Sequence, residues 1–229
     1  MKAQYWVTIP FRFLLCSLVV IFLSHTVVYA KASHVAPKKV AGVRPIILDD
    51  FEDANLSDGP KWFLFGGLSA GIKQNDLTEF MHLGVNSFHL YGNTSSWYVG
   101  GVGAYLGVDA SPYKFMKLLV RGSGPSSGSL QVELYDDDNQ NMALERNSSA
   151  TSQTLFDDKF IYTMDVTWTG WRVVIIPLSN FRDENAQGDG VLNLDRANGS
   201  GGLLQLQFVA FANQEKGKVD FLMDSIRLY

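Results

Sequence analysis

Residues 171–181 read WRVVIIPLSNF, and this stretch constrains the fold more than any other. In an extended strand Trp171, Val173 and Ile175 face one way, and Arg172, Val174 and Ile176 the other. Both faces are largely apolar, which predicts a central strand with core on one side and cover on much of the other. Pro177 has no N–H to give to a ladder, so pairing is expected to stop there, with Phe181 folding back as a plug. The alternating runs at 130–135 (LQVELY) and 203–211 (LLQLQFVAF) are the expected neighbours.

Further strands are read at 46–53, 62–67, 80–83, 87–92, 114–121, 160–166 and 219–229, with Gly, Asn and Asp turns between them. Helical periodicity is scarce, and the 21 glycines suit short strands joined by turns. The expected fold is therefore all-β, an antiparallel two-sheet β-sandwich. Residues 96–113, SWYVGGVGAYLGVDASPY, lack the strand-to-helix context and the Lys-Ser/Thr pair of a phosphate loop. Their glycines are read as turns and places of close backbone approach. Residues 147–154 read as a surface loop, and 182–202 as a long polar excursion.

The first thirty residues are a different kind of sequence. Lys2 and Arg12 precede an apolar run at 13–23, and Val28, Tyr29 and Ala30 form a tolerated cleavage site. That is the layout of a signal peptide over residues 1–30, cut after Ala30. The alternative is an uncleaved membrane anchor, but the run falls short of the ~20 apolar residues a spanning helix needs. Residues 31–45, rich in Ala, Pro and Lys, read as a flexible linker before a domain at 46–229. The expected location is secreted or periplasmic, with no membrane span after cleavage.

Cys16, in the leader, is the only cysteine among 229 residues. The mature domain must therefore be held by its core, by a bound ion, or by both. The whole chain carries 19 basic and 23 acidic residues, and loss of Lys2 and Arg12 makes it more acidic still. No basic patch interleaved with aromatics is present, which argues against nucleic acid as a partner.

Carboxylates crowd two places. Asp49, Asp50, Glu52 and Asp53 close the first strand, and repel one another unless exposed or bridged by a cation. Residues 136–141, DDDNQN, suggest a calcium loop, but an EF-hand needs Gly at its sixth position and Glu at its twelfth. Asn141 and Asn147 stand there instead.

With both ends of the chain read, a resemblance can be stated. The segments LDDFED (48–53), DASPYKFMKLLVRGSG (109–124), WRVVIIPLSNF and VDFLMDSIRLY (219–229) occur in an order that resembles the galactose-binding-like jelly-roll carbohydrate-binding modules, family 11 above all. The resemblance implies that first and last strands lie side by side and share a structural calcium. Asp50, Glu52 and Asp224 are the ligands it carries over. Hard oxygen donors suit calcium, and a disulfide-free domain gains from a metal staple. The intermediate-associated proteins of respiratory complex I assembly have a similar sandwich, although their early Asn-Asp-Gly motif is not found here. They keep open the alternative of an envelope or assembly protein that grips a protein partner.

A sugar-binding face needs flat rings for the C–H faces of pyranoses and polar groups for the hydroxyls. The non-core faces of three expected strands carry that mixture: His89 and Tyr91; Gln131, Glu133 and Tyr135; Gln205 and Gln207. Arg121 joins them from the strand at 114–121, with Trp97 and Tyr98 as a rim. Taken singly, each is also ordinary polar cover on a sheet. Trp62, Trp168 and Trp171 are read as core. The sequence has no HExxH helix and no cysteine outside the leader. Asp220 and Asp224 are the nearest thing to paired glycosidase carboxylates, without a glutamate between them. The expectation is a non-enzymatic module that binds carbohydrate, with a glycan-active enzyme as the weakest alternative.

Overall fold

The computed structural model describes residues 42–76, 84–148, 150–214 and 217–229. The leader, the linker up to residue 41 and the strand expected at 80–83 lie outside them. The described chain forms fourteen strands: β1 (Ile46–Asp49), β2 (Trp62–Gly66), β3 (Ser69–Gln74), β4 (Asn86–Asn93), β5 (Tyr98–Val108), β6 (Phe115–Ser123) and β7 (Ser129–Tyr135). After them come β8 (Arg146–Asn147), β9 (Ala150–Thr154), β10 (Lys159–Asp165), β11 (Thr169–Pro177), β12 (Arg182–Asp183), β13 (Leu203–Phe211) and β14 (Lys218–Leu228). One turn of 3₁₀ helix at Leu178–Asn180 follows Pro177.

Two six-stranded antiparallel sheets carry the fold. The first runs β11-β6-β14-β4-β3, with β1 also on β14; the second runs β12-β10-β7-β13-β5-β2. β8 and β9 make a separate hairpin where the sequence reads as a loop. First and last strands do lie side by side, Ile46 opposite Leu228.

The core follows the period-2 rule. Leu130, Val132 and Leu134 of β7 and Leu206, Phe208 and Ala210 of β13 face inward, fully buried, against Met116, Leu118, Val120, Phe221 and Met223 of the first sheet. Trp62 joins the layers, its ring 5.4 Å from Phe88 on one side and 5.9 Å from Phe208 on the other. Its indole N–H donates to Asp49 Oδ2 at 2.7 Å, so the ring is buried without an unpaired donor. In β14 the alternation breaks at Ser225, whose positive φ of 52° marks a bulge that returns Ile226 and Leu228 to the core.

The segment at 171–181 holds a different position from the expected one. β11 is an edge strand paired with β6 alone, while the runs at 130–135 and 203–211 pair with each other in the opposite sheet. Val173 and Ile175 are therefore exposed, and Trp171 on the same face is half-buried instead of core. Apolar character on both faces cannot tell a covered strand from an edge strand whose outer face meets solvent. Pro177 does end the strand, and Phe181 is buried against Tyr162.

The glycine-bearing stretch at 96–113 is mostly strand. β5 is eleven residues long, and its Gly101 and Gly103 are places of close approach by the rings of Phe65 and Phe63.

Candidate functional site

The outward face of the second sheet is built in register. Phe63, Gly103, Gln207, Glu133 and Ile161 lie side by side across β2, β5, β13, β7 and β10. One row along come Phe65, Gly101, Val209, Gln131 and Thr163. Because β5 presents only hydrogen at Gly101 and Gly103, the rings of Phe65 and Phe63 fold over its bare backbone. A Cβ at those glycines would sit 2.3 Å and 2.5 Å from the respective Cζ atoms.

A second aromatic group stands at the end of this wall. Trp97 is 5.2 Å from Phe211 and Tyr98 6.1 Å from it, centroid to centroid. Trp97 is 60% exposed, Phe63 43% and Tyr98 39%, so three flat rings are open to a ligand. Burial, and then the Glu133 carboxylate, hold the Tyr98 phenol above its ordinary pKa, so it stays a neutral hydroxyl donor.

The floor is polar, nearly buried and internally satisfied. Glu133 accepts from Gln131 Nε2 at 2.7 Å and from the Tyr135 hydroxyl at 2.8 Å. The Gln207 amide is assigned with its nitrogen toward Glu133, 3.0 Å from Oε2, since the opposite orientation would set oxygen against oxygen. Its oxygen then accepts from Arg146 Nη2 at 3.1 Å, and the Arg146 guanidinium covers the Tyr135 ring at 5.0 Å. Burial and the adjacent carboxylate push the Tyr135 phenol well above its usual range. Lys159, paired with Glu184, closes the side opposite Phe63. The cleft so enclosed has a volume of about 630 Å³.

Seven of the ten residues expected to bind ligand meet in or beside this cleft: Trp97, Tyr98, Gln131, Glu133, Tyr135, Gln205 and Gln207. Tyr135 is there as floor, only 2% exposed and roofed by Arg146, so it offers no free ring face. The other three lie on the opposite sheet. His89 and Tyr91 are on β4 and Arg121 on β6, outward from the first sheet. His89 Nε2 contacts Asp220 Oδ1 at 2.8 Å, and its ring stacks on Tyr91 at 4.7 Å. The strands alternate as expected, but alternation does not say which sheet a strand joins. Phe63, Phe65, Phe211 and Arg146 were not singled out in the sequence. The glycines at 101 and 103 are the one trace of the Phe63 and Phe65 wall.

The carboxylates expected to hold calcium are brought partly together. Asp224 is 1% exposed and its Oδ2 has no hydrogen-bond partner. Burial first, then the charges of Glu52 and Asp50, push its carboxyl up to about 7. Glu52 caps the start of β4, accepting from Val85 N at 2.9 Å and Asn86 N at 3.0 Å. Among the described residues, three carboxylates whose ligand atoms all lie within 4.8 Å of one another occur elsewhere, at Asp136, Asp138 and Asp158.

Fold and cleft together make an antiparallel β-sandwich with a ring-walled, polar-floored cleft on one sheet. The chain is similar to the family 11 carbohydrate-binding module from Clostridium thermocellum, solved in complex with a β-1,3-1,4-mixed-linked tetrasaccharide. Identity is 19%, over 80% of this chain and 94% of that one, with a TM-score of 0.52. A family 11 module of a cellulosomal cellulase from the same organism is 17% identical over 81% of this chain and 94% of its own, with a TM-score of 0.51. An exo-β-agarase matches at 13% identity and a TM-score of 0.53, over 82% of this chain and 25% of its own. At these identities the likeness is one of fold. No protein-family model matches the chain, and no curated protein matches it.

Proposed function

We propose that this domain is a non-catalytic carbohydrate-binding module that lays a polysaccharide or oligosaccharide along the cleft of the second sheet. The observation that carries the reading is the pairing of open rings at Phe63, Trp97 and Tyr98 with a floor of amides and a carboxylate. Rings cover the apolar faces of pyranoses, while the polar lining at Gln207, Arg146 and Lys159 offers groups to the hydroxyls. Holding without cleavage is supported by Glu133, whose oxygens already accept from three side chains and serve as an anchor for the floor. The mixed-linked tetrasaccharide held by a structural neighbour makes soluble β-glucans the first ligands to try. Affinity electrophoresis in β-glucan gels, with chromatography of the glucan afterwards, tests both halves of the proposal. Retarded migration with unshortened glucan supports it; shortened chains would place the protein among enzymes.

A structural calcium at Asp224, with Glu52 and Asp50, belongs to the same proposal. Its support is the unpartnered, buried Asp224 Oδ2 together with the negative charges of Glu52 and Asp50, which raise the pKa of its carboxyl. The leader at 1–30 supports a secreted or periplasmic setting. A protein partner is the second reading, favoured by the exposed Tyr91, Val173 and Ile175 on the outer face of the first sheet.

A further inference from the structure

The pairing of β7 with β10 sets Tyr135 opposite Lys159, so Asp136 and Asp158 leave the same end of one ladder. Asp138 follows on the β7 side, and the loop at 188–193 closes over all three. Each carboxylate spends one oxygen on that loop. Asp136 Oδ2 accepts from Asn193 N at 2.6 Å, Asp158 Oδ2 from Gly190 N at 2.7 Å, and Asp138 Oδ1 from Asn193 Nδ2 at 3.0 Å.

The other oxygens are what point to a ligand. Asp136 Oδ1, Asp138 Oδ2 and Asp158 Oδ1 are buried and accept no hydrogen bond. Asp136 and Asp158 are 0% exposed as residues. The free oxygens of Asp158 and Asp138 aim at one place, since a Cβ on Gly188 would lie 2.1 Å from the first and 2.3 Å from the second. One ligand atom from each of the three residues falls within 4.8 Å of the others. An ion about 2.4 Å from each oxygen spans such a group.

Two buried carboxylates and a half-buried third, each with a buried oxygen that accepts nothing, are unfavourable without a counter-charge. Their neighbours add negative charge, Asp183 and Asp189 included. Burial first, and like charges after it, push Asp136 up to about 8 and Asp158 up to about 6. The donors are all oxygen, with no imidazole or thiolate in the set, which selects a hard cation over zinc. We propose that Asp136, Asp138 and Asp158 form a calcium site, separate from Asp224, that ties the 188–193 loop to the shared end of β7 and β10. Backbone carbonyls or water complete its six to eight oxygens. It lies next to the cleft, because Tyr135 and Lys159 are the chain neighbours of Asp136 and Asp158.

The test counts calcium on the full chain freed of its leader. The protein is stripped with chelator, dialysed, and assayed by equilibrium dialysis and by melting in calcium chloride. Calcium at about a hundredfold its dissociation constant should raise the melting temperature by about 5–10 °C. Asp158→Asn should bind one equivalent fewer than wild type, and Asp224→Asn should keep that equivalent. In chelator Asp158→Asn should melt at or above wild type, because a like charge is gone while the Gly190 hydrogen bond persists. Asp138→Asn, the most exposed of the three, repeats the count if Asp158→Asn does not fold. An unchanged calcium count in both variants overturns the proposal, and so does a wild-type protein that binds none.

Discussion

The ring of Phe63 lies over the backbone of Gly103, so closely that a Cβ on Gly103 would sit 2.5 Å from the ring's Cζ. The ring belongs to an edge strand and is 43% exposed, so it can swing away. Gly103→Ala should therefore cost under about 1 kcal/mol in stability, while the tilted ring loses its match to a sugar face. Glucan affinity is expected to fall several-fold with an almost unchanged melt. Titration calorimetry and calorimetric melting separate the two effects, and an equal affinity would remove Phe63 from the binding wall.

Tyr135 tests the floor in the opposite sense. Truncation to Ala removes a 2% exposed ring from beneath Arg146, and should cost about 3–5 kcal/mol. Tyr135→Phe keeps the ring and removes only the hydroxyl donated to Glu133, at about 1–2 kcal/mol. Both losses are read in chemical denaturation. An Ala variant as stable as wild type would mean that the ring is free and available for stacking after all.

How much of this was legible in the sequence depended on what each residue answers to. Leu206 and Gln207, or Val132 and Glu133, are sorted correctly by alternation, because a strand with one buried face leaves a period of two in its own residues. Whether His89 shares a sheet with Glu133 is a question of pairing, and no property of either strand records it. The glycines of β5 read as turns or places of close approach, but what approaches Gly101 and Gly103 is not legible, because Phe63 and Phe65 lie some forty residues earlier in the chain. The DDDNQN stretch does not fit a contiguous calcium loop, and the third carboxylate of its cluster, Asp158, arrives through the β7–β10 ladder.

Asp224 makes a separate prediction about the chain ends. If calcium bridges it to Glu52 and Asp50, chelation lowers the melt of wild type by more than that of Asp224→Ala. At a hundredfold excess over its dissociation constant the ion contributes about 2.7 kcal/mol. Differential scanning calorimetry with and without chelator reads the difference. Equal chelator shifts in the two proteins would leave Asp224 with no part in holding the ion.

Neighbouring residues of β11 test its placement as an edge strand. Ile176 is fully buried opposite Met116, so Ile176→Ala should cost about 2–5 kcal/mol. Ile175 is 45% exposed on the outer face, and Ile175→Ala should stay under about 1 kcal/mol. Urea midpoints of the two variants report the contrast. A large loss at Ile175 would put cover over that face, as the apolar pattern of the segment first suggested.

The last prediction decides between the two faces of the sandwich. Trp97 and Tyr98 stand over the cleft of the second sheet; Tyr91, stacked on His89, stands on the outer face of the first. Trp97 and Tyr91 are both exposed, at 60% and 45%, so neither substitution to Ala should disturb the core. Trp97→Ala removes an indole face and should weaken glucan binding by about tenfold. Tyr91→Ala should leave it unchanged, because its ring cannot reach a ligand held on the other sheet. If Tyr91→Ala abolishes glucan retention while Trp97→Ala does not, the ligand lies with His89, Arg121 and Asp220 on the first sheet. If neither affects glucan but Tyr91→Ala with Val173→Asp releases a protein partner, the outer face of the first sheet is the one the protein uses.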